Sequence, residues 1–191
     1  MHTLKVRFLT CLAILLAAAP AFADKYSDTV ALFKHAGESA SFFGKSYGYA
    51  VFPTIGKAGL GIGGAYGEGR VFEKGAYVGD TKMTQLSIGF QAGGEGYSQM
   101  IFFEDKRAFD DFTSGNFEFG ANVTATVITA SASGTASTTG TSGTASGGEK
   151  DATTKGSFHK GTAVFIITKG GLMYEASVSG QKFSYKPRHK K

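Results

Sequence analysis

The chain contains no tryptophan, only three prolines and a single cysteine among its 191 residues. That cysteine, Cys11, lies inside the apolar stretch at residues 8–19, with Lys5 and Arg7 before it and Ala21-Phe22-Ala23 after it. A basic start, a short apolar run and a small-x-small triplet are the pattern of a cleaved export signal, so residues 1–23 are expected to be removed and Asp24 to begin the mature chain. The stretch is too short for a membrane anchor, which needs about 20 apolar residues. Processing would remove the cysteine as well, which excludes disulfides and a thiol nucleophile from the mature protein. It would leave 18 basic against 15 acidic side chains, a net charge of +3. So small an excess does not call for a nucleic-acid partner. The expected location is the periplasm or the medium.

Catalytic groupings are also missing. His35, His159 and His189 have no mutual metal-ligand spacing. Asp110 and Asp111 are adjacent, so on a helix they point about 100° apart and cannot work as a pair. No Ser occupies a G-x-S-x-G turn; Gly143-Thr-Ala-Ser146-Gly has the wrong spacing. Residues 59–64 match G-x-G-x-x-G, but a dinucleotide site requires a helix to open there, and alternating residues and glycine follow instead. The expectation is a non-enzyme without metal, cofactor or nucleotide.

What the chain does have is glycine, 28 residues of it, and 17 phenylalanines able to build an apolar core. Residues 50–75 are the organising stretch. Gly59, Gly61, Gly63, Ala65, Gly67 and Gly69 occupy successive odd positions. With the period of two of a strand, they make a ribbon with one bare face. Glycine costs about 0.5–1 kcal/mol per site in such an element. The bare face therefore implies a very close neighbour or a sharp bend, expected at Gly63-Gly64.

Around this ribbon, residues 24–44 carry Tyr26, Val30, Phe33, Ala36 and Ala40 at helical spacing, with Gly37 dividing the stretch into two short helices. Residues 47–52 read as a strand ended by Pro53. Residues 84–93 alternate, with Leu86, Ile88, Phe90 and Ala92 on one face. Residues 97–103 and 162–168 are apolar on both faces, as fully covered strands are. Residues 104–112 form a short helix, residues 117–129 return to alternation, and residues 182–185 suggest a last strand. Residues 131–148 are only Ser, Ala, Thr and Gly, so 131–156 is expected to be a flexible insertion, and 186–191 a basic tail. The fold class is α+β: N-terminal helices on a curved antiparallel sheet, a sandwich or partial barrel, with one inserted helix, in a single domain spanning 24–191.

Residues 48–71, 86–105, 119–130 and 168–181 carry glycine, proline and Gln91 in an order that resembles the SYLF domain, a lipid-binding module, over nearly all of residues 24–185. The likeness is greatest to its secreted bacterial branch. The resemblance implies binding to anionic lipid or a membrane surface through an N-terminal amphipathic helix and a basic surface. The candidate lipid contacts are Phe33, Phe42, Phe43, Lys45, Lys57 and Lys169, with Gly59, Gly61, Gly63, Gly67 and Gly69 as structural glycines. The alternative is a structural or protein-interaction component of the cell envelope that uses a sheet edge or the glycine face.

Overall fold

The structure is a computed structural model that describes residues 24–89, 94–120, 123–130, 136–137, 157–169 and 178–188. The expected export signal, Phe90, Gln91 and Ala92, most of the Ser/Thr/Gly tract and the end of the basic tail lie outside the described residues.

Helix α1, Lys25–His35, starts where the Asp24 carboxylate accepts from the Tyr26 N–H at 3.4 Å. It runs into a 3₁₀ helix, Gly37–Phe42, whose Gly37 takes a positive φ of 43°. The strands are β1 (Gly48–Glu73), β2 (Ala76–Gly89), β3 (Gly94–Phe103), β4 (Phe117–Glu118), β5 (Thr126–Ala130), β6 (Ala136–Ser137), β7 (Thr162–Thr168) and β8 (Lys182–Pro187). Helix α2, Lys106–Thr113, follows β3 and is capped by Asp105, which accepts from the Ala108 N–H at 2.8 Å. Among the described residues these strands form one curled sheet in the order β4-β8-β2-β1-β3-β7-β5-β6, a half-barrel.

The curl is made by β1, which uses each of its halves for a different neighbour. Residues 48–58 pair with β3 and residues 61–73 with β2. The two halves then lie face to face. A Cβ placed on Gly67 would stand 2.5 Å from Ile55 Cγ1, and one on Gly69 2.7 Å from the Phe52 ring. The ends meet too, for the Lys74 N–H donates to the Tyr47 carbonyl at 3.0 Å. The bare stripe thus has its close neighbour, and that neighbour is the same strand. The bend is not at Gly63-Gly64, which pair regularly with Ser87 and Leu86; it falls at 58–61, where the partner changes. Nor does Pro53 end the strand. It sits in a register shift between Phe52 and Ile55, where a missing N–H costs no ladder bond, and its carbonyl accepts from Ser98 Oγ at 2.7 Å.

Two apolar clusters result. The inner one, between the leaves, gathers Phe52, Ile55, Val71, Met83, Ile101, Phe103, Ile166 and Phe183, with Phe109 and Phe112 of α2. The outer one combines Val51, Met100, Phe102, Phe165 and Ile167 with Tyr26, Phe33, Ala36 and Phe42. Strands β3 and β7 are buried on both faces because they lie between the clusters.

Two expectations need correction. The sheet is mixed rather than antiparallel throughout, since β5 runs parallel to β7. Strand β2 starts at Ala76, eight residues before the alternation at 84, because its inward positions are Gly79, Thr81 and Met83 and give no apolar period. Its apolar position Leu86 points to solvent, 86% exposed. Within the Ser/Thr/Gly tract, Ala136–Ser137 pairs with Thr129 and Ala130.

Gly67→Ala and Gly69→Ala should each destabilise the fold by about 1–3 kcal/mol through overpacking. Gly56→Ala should be within about 0.5 kcal/mol of neutral, because nothing lies within 4 Å of that position. Urea unfolding of the three variants measures the contrast.

Candidate functional site: a belt of cations and aromatic rings

The ends of β1, the start of β2, the last described residue after β8 and the N-terminal helices converge on one side of the molecule. Their aromatic side chains form a continuous line. Phe43 meets Tyr49 edge-on at 5.3 Å, Tyr49 stacks on Phe72 at 4.9 Å and 15°, and Phe72 meets Tyr77 at 5.8 Å. Cations stand over the rings of this line and beside it. Lys34 Nζ lies 5.4 Å from Phe43, Lys74 Nζ 5.1 Å from Tyr47 and Lys25 Nζ 5.2 Å from Tyr26. The Arg70 guanidinium lies 4.1 Å from Tyr26 and 5.0 Å from Tyr77, and that of Arg188 4.9 Å from Tyr77. Each such contact contributes about 0.5–1 kcal/mol at an exposed site.

The acids of the belt are engaged internally. Asp24 pairs with Arg70, Glu73 accepts from the Tyr47 hydroxyl and Asp80 from the Tyr77 hydroxyl at 2.7 Å. Among the described residues Lys25, Lys34, Lys74 and Arg188 stand outside every ion pair. Burial raises the phenol pKa of Tyr26, Tyr49 and Tyr77, and the bond to Glu73 raises that of Tyr47. The rings therefore stay neutral at physiological pH, and four cations, Lys25, Lys34, Lys74 and Arg188, stand on them. The belt offers ammonium and guanidinium groups over apolar rings, a combination suited to anionic headgroups at the edge of a hydrocarbon phase.

The candidate residues named from the sequence separate into three places. Phe33 and Phe42 are core, 0% and 6% exposed, with Phe42 against Phe102 at 5.6 Å and Phe165 at 4.9 Å. Phe43 belongs to the belt, and Lys45 is exposed in the turn two residues on. Lys57 and Lys169 are together at the far end of β1's first half. There Lys57 is in register with Glu95, and Lys169 donates to the Gly96 carbonyl and, through Nζ, to Thr54 Oγ1 at 2.9 Å. Gly67 and Gly69 are the close-approach glycines; Gly61 and Gly63 pair with β2, and Gly59 lies at the bend. At 65–69 the glycine face is filled by the chain's own Phe52 and Ile55, which closes that part of it to a partner. The belt was missed because its members come from five separate segments; the aromatic-plus-basic runs YGY, RVFEKGAY and KPR were its only local signal.

Between the leaves, a polar trio interrupts the inner core. The Gln99 and Gln181 side chains exchange two hydrogen bonds, at 2.9 and 3.1 Å, and Gln181 Nε2 also donates to the Tyr97 hydroxyl at 3.3 Å. All three side chains are buried, and burial pushes the Tyr97 phenol well above its ordinary value of 10.0. The described residues contain no group of three metal-ligating side chains, and no helix among them is long and apolar enough to cross a membrane.

The family model for Ysc84, described as the Las17-binding protein actin regulator, matches residues 84–189. The chain is also 30% identical over 158 residues to Beta cell expansion factor A of Aeromonas veronii. That alignment covers 81% of this chain and 51% of the relative, so the chain spans about half the relative's length. The protein belongs to the Ysc84 family of SYLF domains, a family of non-catalytic binding domains.

Tyr97 supplies a pH test of the core. Below pH 10 its phenol is protonated in folded and unfolded chains alike, and the native interaction contributes in full. Above pH 10 the unfolded phenol ionises while the buried one keeps its proton, so stability falls as pH rises. Denaturant titrations at pH 8, 10 and 11 should show this decline in the wild type and a shallower one in Tyr97→Phe.

Proposed function

We propose that the mature protein is an exported, non-catalytic module that docks on anionic phospholipid through the cation–aromatic belt. The observation that carries this reading is the set of four cations, Lys25, Lys34, Lys74 and Arg188, that sit on aromatic rings and outside any ion pair among the described residues. Family membership supports it, since SYLF domains as a class are associated with lipids and with actin-regulating partners. The docking surface is rigid rather than an inserting helix. With Phe33 and Phe42 in the core, α1 has no large apolar face left to insert beyond the partly exposed Leu32 and Phe43. Lys45, next to Phe43, extends the positive surface.

Export is supported by the pattern of residues 1–23, a basic start, a short apolar run and the triplet Ala21-Phe22-Ala23. An envelope location removes actin as a partner and leaves lipid as the ligand class.

Each cation near an anionic surface contributes about 1 kcal/mol, a contribution that salt screens. Co-sedimentation with phosphatidylglycerol-containing vesicles should show binding that weakens steeply between about 0.05 and 0.3 M salt, and little binding to pure phosphatidylcholine. Replacing Lys25, Lys34, Lys74 and Arg188 together by Gln should lower the affinity at least tenfold, while Lys57→Gln with Lys169→Gln should leave it within twofold. The reverse ranking would move the site to the bend of β1, and equal, negligible binding to both vesicle types would refute lipid docking. Intact-mass analysis of the protein recovered from the envelope should give an N-terminus at Asp24.

A further inference from the structure

On the leaf formed by the second half of β1 with β2, β8 and β4, two rows of outward side chains cross the strands. The ladder sets Tyr66 beside Thr84 and Glu68 beside Lys82. It then sets Thr84 beside Lys182, Lys82 beside Ser184, and Lys182 beside Glu118. Each outward pair on a strand flanks one residue fixed in the core: Gly67 lies against Ile55, and Met83 and Phe183 are buried. The rows therefore stand on a stiff base. At their centre is a square of two ammonium and two hydroxyl groups, with Lys82 and Lys182 on one diagonal and Thr84 and Ser184 on the other. Glu68 and Glu118 flank it from opposite sides, on β1 and β4. The square lines a cleft of about 470 Å³ that Tyr66 and Asn116 border as well. Small-molecule sites have volumes of about 300–1,000 Å³.

The polar groups of the cleft have bonding capacity left over. Among the described residues the side chains of Thr84, Ser184 and Asn116 make no hydrogen bond. The ammonium groups stand 4.0 Å (Lys82 to Glu68) and 3.6 Å (Lys182 to Glu118) from the flanking carboxylates, beyond hydrogen-bond reach. Exposed pairs of this kind contribute little to the fold, so both lysines are free to take another anion. Lys186, two residues past Ser184 on the same strand, is exposed and outside every ion pair among the described residues, which adds to the positive charge of the face. The ring at the rim, Tyr66, is 48% exposed. Its hydroxyl donates to Glu68 at 2.9 Å, which ties the ring along its own strand and leaves nearly half of the side chain open.

These features define the chemistry of an occupant. A single negative charge is held between the two ammonium groups, where charge-assisted hydrogen bonds form. The flanking carboxylates repel a second negative charge and accept hydroxyl protons instead. Thr84, Ser184 and Asn116 can each donate and accept, which matches hydroxyl groups and not hydrocarbon. The open part of the Tyr66 ring gives an apolar platform for the C–H face of a sugar ring. A chain of sugar rings in which one ring carries a carboxylate has each of these groups. We propose that the cleft binds an acidic glycan, with a uronate carboxylate between Lys82 and Lys182 and the adjoining ring stacked on Tyr66. The proposal is independent of lipid docking, since no residue of the cleft belongs to the belt.

The test is an NMR titration of the isotope-labelled mature protein with three probes: cellobiouronic acid, which has two sugar rings and one carboxylate, its neutral counterpart cellobiose, and inorganic phosphate. The expected result is saturable shifts of the Tyr66, Thr84, Asn116, Lys182 and Ser184 amides with the acid, at least tenfold weaker binding of cellobiose, and no saturable shift there with phosphate. Lys82→Gln with Lys182→Gln should weaken binding of the acid at least tenfold, and Tyr66→Ala should weaken it at least threefold. All three side chains are exposed, so the variants should keep the wild-type fold; if one does not, the other still decides. The fourfold belt variant should bind the acid within twofold of the wild type. Failure of the acid to give saturable shifts at these amides overturns the proposal, as does equal affinity for cellobiose, or binding that neither cleft variant weakens. Phosphate binding as tight as that of the acid overturns it too, and makes the cleft a site for oxyanions without sugar recognition.

Discussion

The structure depends on the approach of one strand's two halves to within a side chain's reach of each other. Strand β1 is 26 residues long and would span about 86 Å if straight. Instead its ends are hydrogen-bonded, and the space between the halves is filled from one side only: Phe52 and Ile55 project, while Gly67 and Gly69 receive. Four side chains of ordinary size could not occupy that gap. The glycines give up packing surface of their own and lose more chain entropy on folding than other residues, a cost of about 0.5–1 kcal/mol each. That cost is offset by large apolar groups on the opposite half, whose burial contributes about 1.5–3 kcal/mol each. Leaves this close need a core made from one side's rings, which is one reason phenylalanine outnumbers every other aromatic in the chain.

Much of this could be read from the sequence because its signals are local and periodic. The bare odd positions from Gly59 to Gly69 announced a close neighbour; the continuous apolar runs at 97–103 and 162–168 announced strands covered on both faces; Phe109 and Phe112, after a capping Asp105, announced α2. What could not be read was non-local. Nothing in residues 126–128 indicates a parallel rather than an antiparallel neighbour, because β5 reaches β7 across a long intervening segment. The first half of β2 was silent because Gly79 faces Tyr185 and Thr81 faces the Gly69 stripe, so its inward residues must be small or polar and the apolar period vanishes. The position of the bend also escaped, since glycine at every second residue permits a turn at many places and only the exchange of hydrogen-bonding partners selects one.

The candidate site shows the same division. Aromatic residues near lysines were the correct class to look for, but residue type does not say which rings the core will claim. Phe33 and Phe42 were claimed, while Phe43, the next residue in the chain, was left at the edge with Lys34 over its ring. One step along a 3₁₀ helix turns a side chain by about 120°, enough to exchange core for surface. Lys57 and Lys169 are both near the bend of β1, away from the rings, so they lack the aromatic support that distinguishes the belt.

The separation between core and belt follows from the phenol hydroxyl. Phenylalanine can be buried with no partner, and of the large side chains with no more than 1% exposure every aromatic one is Phe. Tyrosine must place its O–H against an acceptor or in water when its ring is covered. Tyr97, deep in the inner core, needs the Gln99–Gln181 pair built around it. Tyr47 and Tyr77 are nearer the surface, where Glu73 and Asp80 take up their hydroxyls. The neutral rings hold Lys74, Arg70 and Arg188 by their faces. Lys74 and Arg188 are thus held by aromatic faces rather than by carboxylates.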